Sequence, residues 1–189
     1  MAHVILASQS PRRKQLLKNL IETFDIIPSD ADEAMPDGIS PADCAAEIAR
    51  RKVFDIKARF PESVIIGADT IVVLDNKILG KPRDTEDAFN MLSALSGNTH
   101  TVYTGLTVSF GDTTIVAAEA TKVTFRTLTP DMIRRYIATG EPMDKAGAYG
   151  IQDKGALLVE KIDGDYFNVV GLPVCRLSKI LSDIGISVL

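Results

Sequence analysis

Hydrophobic residues in this chain fall into two arrangements, dense short runs and helical stripes. The runs are Val4 to Ala7, Val64 to Leu74, Thr99 to Phe110, Thr113 to Arg126, Ala156 to Ile162 and Tyr166 to Val170. Bounded by turn formers and rich in β-branched residues, they predict strands. The stripes follow helix-start signals. Ser10-Pro11, Ser40-Pro41 and Thr129-Pro130 each pair a hydroxyl N-cap with proline at the first helical position. A fourth helix is predicted from near Thr85, through Ala88, Met91, Leu92 and Leu95, to a stop at Gly97, and Leu172-Pro173 opens a last one. Gly111-Asp112 and Asp163-Gly164 carry hairpin-turn chemistry between adjacent runs, so part of the sheet is expected to be antiparallel. Early strand-helix alternation with later hairpins predicts an α/β (α+β mixed) fold, a mixed β-sheet flanked by helices.

The chain has 189 residues with no internal repeat, low-complexity tract or linker, which predicts one domain over residues 1–189, or two lobes sharing a core. A formal net charge of −4 argues against a nucleic-acid footprint, which needs a basic surplus. Cys44 and Cys175 are too few for a disulfide framework and suit a reducing, cytoplasmic setting. The apolar start His3-Val4-Ile5-Leu6-Ala7 has no basic flank and is expected to be neither signal peptide nor anchor. Val64 to Leu74, the longest apolar stretch, is short of the ~20 residues that span a bilayer, so no membrane association is expected.

Four places break the local rules. Arg12 and Arg13 stand in the first turn of a helix, where the macrodipole disfavours cations unless an anion is bound. With the hydroxyls of Ser8 and Ser10 and free backbone N–H groups, the segment reads either as an anion cradle or as a solvated basic turn. Lys52 falls within the apolar stripe Ala45, Ile48, Ala49, Val53 and Ile56, so it either snorkels outward or meets a buried anion, whereas Arg50 and Arg51 face away. Asp69 interrupts a run that is apolar on both faces, which demands a cation, a metal or several donors. Such a carboxylate is a structural ion pair or an acid, base or metal ligand. Gly67 beside it marks close approach of a ligand or of another backbone. Last, Met143 to Gly155 carries three glycines in its final nine residues, as suits a shaped loop approaching a ligand.

The inventory narrows the chemistry. Neither the G-x-x-x-x-G-K-[ST] loop nor G-x-G-x-x-G is present. His3 and His100 are the only histidines, and neither has a metal-ligand or triad partner at a suitable spacing, which argues against zinc and Ser-His-Asp mechanisms and for a structural His100. What remains are carboxylates (Asp30, Asp32, Glu33, Asp69) and cations (Arg12, Arg13, Lys52, Lys81), a set suited to phosphoryl chemistry with a hard divalent ion.

These residues resemble the Maf or Maf-like nucleotide pyrophosphatases, in the wider inosine-triphosphatase-like structural group. The likeness covers essentially the whole chain. It is carried by Leu6 to Arg13, Asp32-Glu33, Lys52, Gly67-Ala68-Asp69-Thr70, Leu79-Gly80-Lys81-Pro82, Asp144 to Gln152, and Gly164-Asp165-Tyr166 through Asn168 to Pro173. The resemblance implies cleavage between the α- and β-phosphates of a nucleoside triphosphate with Mg²⁺ or Mn²⁺, in a homodimer. It places Asp69 as proton acceptor, and Ser8, Arg13, Glu33, Lys52 and Lys81 about the phosphates and metal, with Glu33 and Asp69 the metal candidates. Arg12, Thr70 and Gln152 match the pattern of a dTTP/UTP subgroup; a 7-methyl-GTP subgroup carries an aromatic residue, glutamine and glutamate there.

A carboxylate bound to metal is poorly placed as a free base, so the two roles of Asp69 compete. Gln152 offers a donor and an acceptor to the imide edge of uracil or thymine. The competing function is a nucleotide-binding regulator of cell division or septum formation with little turnover; a phosphomonoesterase would use the same groups and release orthophosphate.

Overall fold

The computed structural model describes residues 2–36 and 38–188. The hydroxyl-proline pairs open helices where they stand. Ser10 caps α1 (Pro11–Leu17), Ser40 caps α2 (Pro41–Lys57) and Thr129 caps α4 (Pro130–Ile137), each side-chain oxygen accepting from the backbone N–H three residues on. α3 (Thr85–Leu95) is capped by Asp84, and Gly97 follows it with a φ of 69°. α6 (Val174–Asp183) begins after Pro173.

The strands are β1 (Val4–Leu6), β2 (Asp25–Ile26), β3 (Val64–Leu74), β4 (Lys77–Leu79), β5 (Thr99–Phe110), β6 (Thr113–Phe125) and β7 (Val159–Asp163). They form one sheet in the order β2-β1-β3-β5-β6-β7, with β4 paired to β3. It is mixed: β1 is parallel to β2 and β3, whereas β4 on β3 and β7 on β6 are antiparallel. β3 lies inside the sheet, which is why its run is apolar on both faces.

Three expectations are corrected. Tyr166 to Val170 is a short helix, α5 (Tyr166–Val170), because Asp165 accepts from the Phe167 N–H and Asn168 is buried, its amide donating to the Val102 carbonyl and Thr121 Oγ1. Asp163-Gly164 therefore leads into a helix rather than a hairpin; Gly164 has a φ of 129°, and a Cβ there would crowd Thr121. The run from Ala156 starts as a 3-10 turn (Asp153–Leu158) before β7 begins at Val159. β2 and β4 are too short to show in a hydrophobic pattern.

The chain divides into two compact units. One comprises Met1–Asp69, Thr104–Glu119 and Gly171–Leu189; the other comprises Thr70–Tyr103 and Ala120–Val170. The first is organised around the contact of α2 with the sheet. Ala45, Ile48, Ala49, Val53 and Ile56 are buried as one stripe, and two glycines let the helix sit close. A Cβ at Gly67 would lie 2.6 Å from Val53 Cγ2 and 3.0 Å from the Ala49 carbonyl, and one at Gly105 would fall on the Ala45 carbonyl. Gly67 thus marks the approach of another backbone. In the second unit His100, Phe125 and Tyr149 make mutual edge contacts, with His100 Nε2 2.7 Å from Tyr149 Oη. Burial lowers the pKa of the His100 ring to about 4, which leaves it neutral near pH 7. No helix among the described residues is long and apolar enough to cross a membrane.

Candidate active site

Strand alternation gives Gly67 and Asp69 the same face of β3, the one that meets α2, and Lys52 precedes Val53 on that helix. The close seating of the helix therefore delivers Lys52 to Asp69. Lys52 Nζ lies 2.7 Å from Asp69 Oδ1 and 2.8 Å from Glu33 Oε1. The Lys52 side chain is 10% exposed, Asp69 15% and Glu33 62%. Lys52 does not snorkel; it meets the buried anion that its stripe position required. Glu33 joins it from an exposed loop.

The opening segment supplies the other cations. The Arg13 Nε–H donates to the Gly171 carbonyl at 2.8 Å and Nη1–H to Ser8 Oγ at 3.4 Å, so backbone and hydroxyl together fix its fork. Ser8 is buried, and its Oγ also accepts from the Ser10 N–H at 3.2 Å. With both contacts accepted by the oxygen, the Ser8 hydroxyl proton is left to donate elsewhere. Backbone contributes less than the sequence suggested, since Pro11 has no N–H and that of Arg13 is taken by Ser10 Oγ. An anion held here would meet side chains rather than backbone.

Electrostatics bind these pieces into one group. Burial pulls the Arg13 guanidinium below its ordinary pKa; Asp69 and Glu33 oppose the shift, and Arg12 adds to it. The buried Cys44 thiol on α2 is pushed up by burial and then by the Asp69 charge. Arg13 and Lys52 are set against Glu33 and Asp69, two cations with two carboxylates, and Arg12 acts on Arg13.

Asp30 and Asp32 are exposed; the Asp30 N–H donates to Asp55, and Asp32 Oδ1 accepts from the Ala34 N–H. Thr70, half-buried, follows Asp69 on the opposite face of β3 and begins the second unit. Lys81 and Gln152 belong to that second unit, Lys81 exposed after β4 and Gln152 half-buried at the start of the 3-10 turn Asp153–Leu158. Gln152 occupies the cap position, yet its side chain makes no capping bond. Sequence reasoning missed the Gly171 carbonyl as the anchor of Arg13. A backbone acceptor 158 residues away leaves no mark in composition or period.

The family model described as Maf-like protein matches residues 3–184. A dTTP/UTP pyrophosphatase of Bacillus pumilus (strain SAFR-032) is 52% identical over 187 residues, covering 99% of each chain. One of Pyrococcus furiosus is 51% identical over 183 residues, covering 96% of this chain and 95% of its own. Among solved structures, a HAM1 protein from Coxiella burnetii superposes with a TM-score of 0.51 at 14% identity, over 97% of this chain and all of the other. That likeness concerns the fold alone and bears out the expected architecture.

Proposed function

The chain belongs to the Maf-like protein family, and on that premise we propose that it hydrolyses dTTP and UTP to the nucleoside monophosphate and pyrophosphate. The observation that carries the reading is the buried Lys52 ammonium joining the Asp69 and Glu33 carboxylates beside the Ser8–Arg13 cradle. A phosphate-binding module needs cations, but it has no use for carboxylates that repel its ligand. A hydrolase does, because attacking water must give up a proton.

In this reading Arg13, with its fork held by Gly171 and Ser8, binds phosphate oxygens, and the Ser8 hydroxyl donates to another. Lys52 and Lys81 carry the charge that accumulates on departing pyrophosphate. Asp69 takes the proton of the attacking water, and Lys52 keeps its carboxylate oriented. Arg12, Thr70 and Gln152 choose the base; the Gln152 amide, which makes no capping bond, can both donate to and accept from the imide edge of uracil or thymine.

The donor set suits a hard divalent cation, Mg²⁺ or Mn²⁺. Glu33 Oε1 and Asp69 Oδ1 converge on the Lys52 ammonium, so both carboxylates already face one point of positive charge. No group of three or more His, Cys, Asp or Glu poised for metal occurs among the described residues. Glu33 with phosphate oxygens and water would match the way Mg²⁺ is bound and leaves Asp69 as the base; Asp69 could join Glu33 as a ligand only by giving up that role. Such an ion, when present, would polarise the phosphoryl oxygens and neutralise their charge. We place the enzyme in the cytoplasm, as one catalytic domain acting as a homodimer.

The test is a product-resolved panel of dTTP, UTP, CTP and 7-methyl-GTP with Mg²⁺ or Mn²⁺. Pyrophosphate from dTTP and UTP is expected, with little from the other two. Orthophosphate as first product would mean cleavage of the terminal phosphate instead, orthophosphate from UMP a phosphomonoesterase, and tight binding without turnover a regulator.

A further inference from the structure

Gln152 sits at the tip of a loop that closes on itself. A Cβ on Gly155 would fall on the carbonyl oxygen of Gly150 and lie 2.7 Å from Tyr136 Oη, so the backbones at 150 and 155 touch. Backbone closure, rather than the approach of a ligand, therefore accounts for Gly155. A Cβ on Gly150 would lie 2.8 Å from the stem of Lys145, whose ammonium is held by the Glu141 carbonyl and the Asp144 carboxylate. On either side of Gln152 the chain is strained, with φ of 58° at Ala148 and 51° at Asp153. Such non-glycine conformations cost ~1–3 kcal/mol each and persist only where the surroundings over-determine them.

What over-determines them is a clasp of two side chains. Glu141 Oε1 accepts from the Gly155 N–H at 3.1 Å and from the Tyr136 hydroxyl at 2.9 Å, and Oε2 accepts from the Lys154 N–H at 3.2 Å. Tyr136 Oη in turn accepts from the Gly150 N–H at 3.1 Å. The phenol is buried, and burial pushes its pKa up, so it remains the donor to Glu141. Both ends of the loop, residues 150 and 154–155, are thus hung from two side chains on α4 and the 3-10 turn that follows it. Neither side chain holds Gln152 itself.

We propose that Glu141 and Tyr136 are positioning residues for base selection: they hold the loop of residues 150–155 in a strained form that presents the Gln152 amide to the nucleobase. The proposal rests on the reading that Gln152 meets the base. It explains why Gln152, at a cap position, is left without a capping partner.

The experiment is a mutant cycle on the full chain: Tyr136→Phe, Glu141→Gln and Glu141→Asp, each alone and with Gln152→Ala, assayed for kcat and KM on UTP and CTP. Tyr136→Phe and Glu141→Gln should each lower the preference for UTP over CTP about tenfold, the scale of one hydrogen bond left unmade, with kcat within about twofold. Glu141→Asp, which keeps a carboxylate, should recover part of the preference. With Gln152→Ala already present, neither should cause further loss, because all act through one amide. Amide hydrogen exchange at Gly150, Lys154 and Gly155 should speed up in both variants, and this readout stands even if Glu141→Gln folds poorly, since Tyr136→Phe deletes only a hydroxyl. Unchanged preference in the single variants, or losses that multiply with Gln152→Ala, would overturn the proposal. Failure of the underlying reading looks different: wild type without UTP turnover, or Gln152→Ala with its base preference intact.

Discussion

Replacing Lys52 by methionine removes the ammonium that meets both Asp69 and Glu33 while keeping most of the side-chain volume in the α2 stripe. Glu33, 62% exposed, can turn to water, and its half of the contact is worth little. Asp69, at 15% exposed on an interior strand, cannot. Removing one partner of such a buried pair costs ~3 kcal/mol, because the remaining charge is left uncompensated. For a chain of this size that corresponds to a fall in Tm of about 6–12 °C. Differential scanning calorimetry on wild type, Lys52→Met, Asp69→Asn and the double variant would measure it. The double variant should recover part of the loss, since it no longer buries an unpaired carboxylate. A melting temperature for Lys52→Met within about 2 °C of wild type, with activity retained, would show that Lys52 is a surface residue and that the central contact does not exist in solution.

Further expectations follow from the same geometry. Asp69→Asn should nearly abolish UTP turnover while nucleotide affinity stays within about tenfold by equilibrium binding, as for a residue used in the chemical step. Gly67→Ala places a Cβ 2.6 Å from Val53 and forces α2 off the sheet; overpacking of this kind costs ~1–3 kcal/mol, and turnover should fall with it as Lys52 leaves Asp69. Arg13→Lys should raise KM for UTP about tenfold, because an ammonium cannot keep the Gly171 anchor and a second donor pair at once. For His100, burial lowers the folded pKa from 6.5 to about 4, so the unfolded chain takes up the proton first. Its contribution to stability is full above pH 6.5 and fades as the pH falls toward 4, by ~2 kcal/mol near pH 5, a slope that urea titrations should show in wild type and not in His100→Gln.

Local chemistry that repeats was legible in the sequence. Each hydroxyl-proline pair names its own helix start, because N-cap and first-turn geometry depend on neighbouring residues alone. The run from Val64 to Leu74 reads as an interior strand from burial on both faces, and Asp69 and Lys52 stand out as charges that such positions do not tolerate. The sequence could not show that these two charges answer one another; that depends on the seating of α2 at Gly67 and Gly105. Tyr166 to Val170 has the residue types of a strand, yet the Asp165 cap and the buried Asn168 amide decide for helix. Asp165 was the available signal. The clasp of Tyr136 and Glu141 had none, since its partners are backbone N–H groups on a loop that closes only in three dimensions.

The most direct test of the central claim is a single-turnover reaction on UTP in heavy-oxygen water, with the products separated and weighed. Water attacking the α-phosphorus puts the label in UMP and leaves pyrophosphate unlabelled, and Asp69→Asn should suppress that product. Label in pyrophosphate, or release of UDP with labelled orthophosphate, would place the attack at another phosphorus and contradict the account.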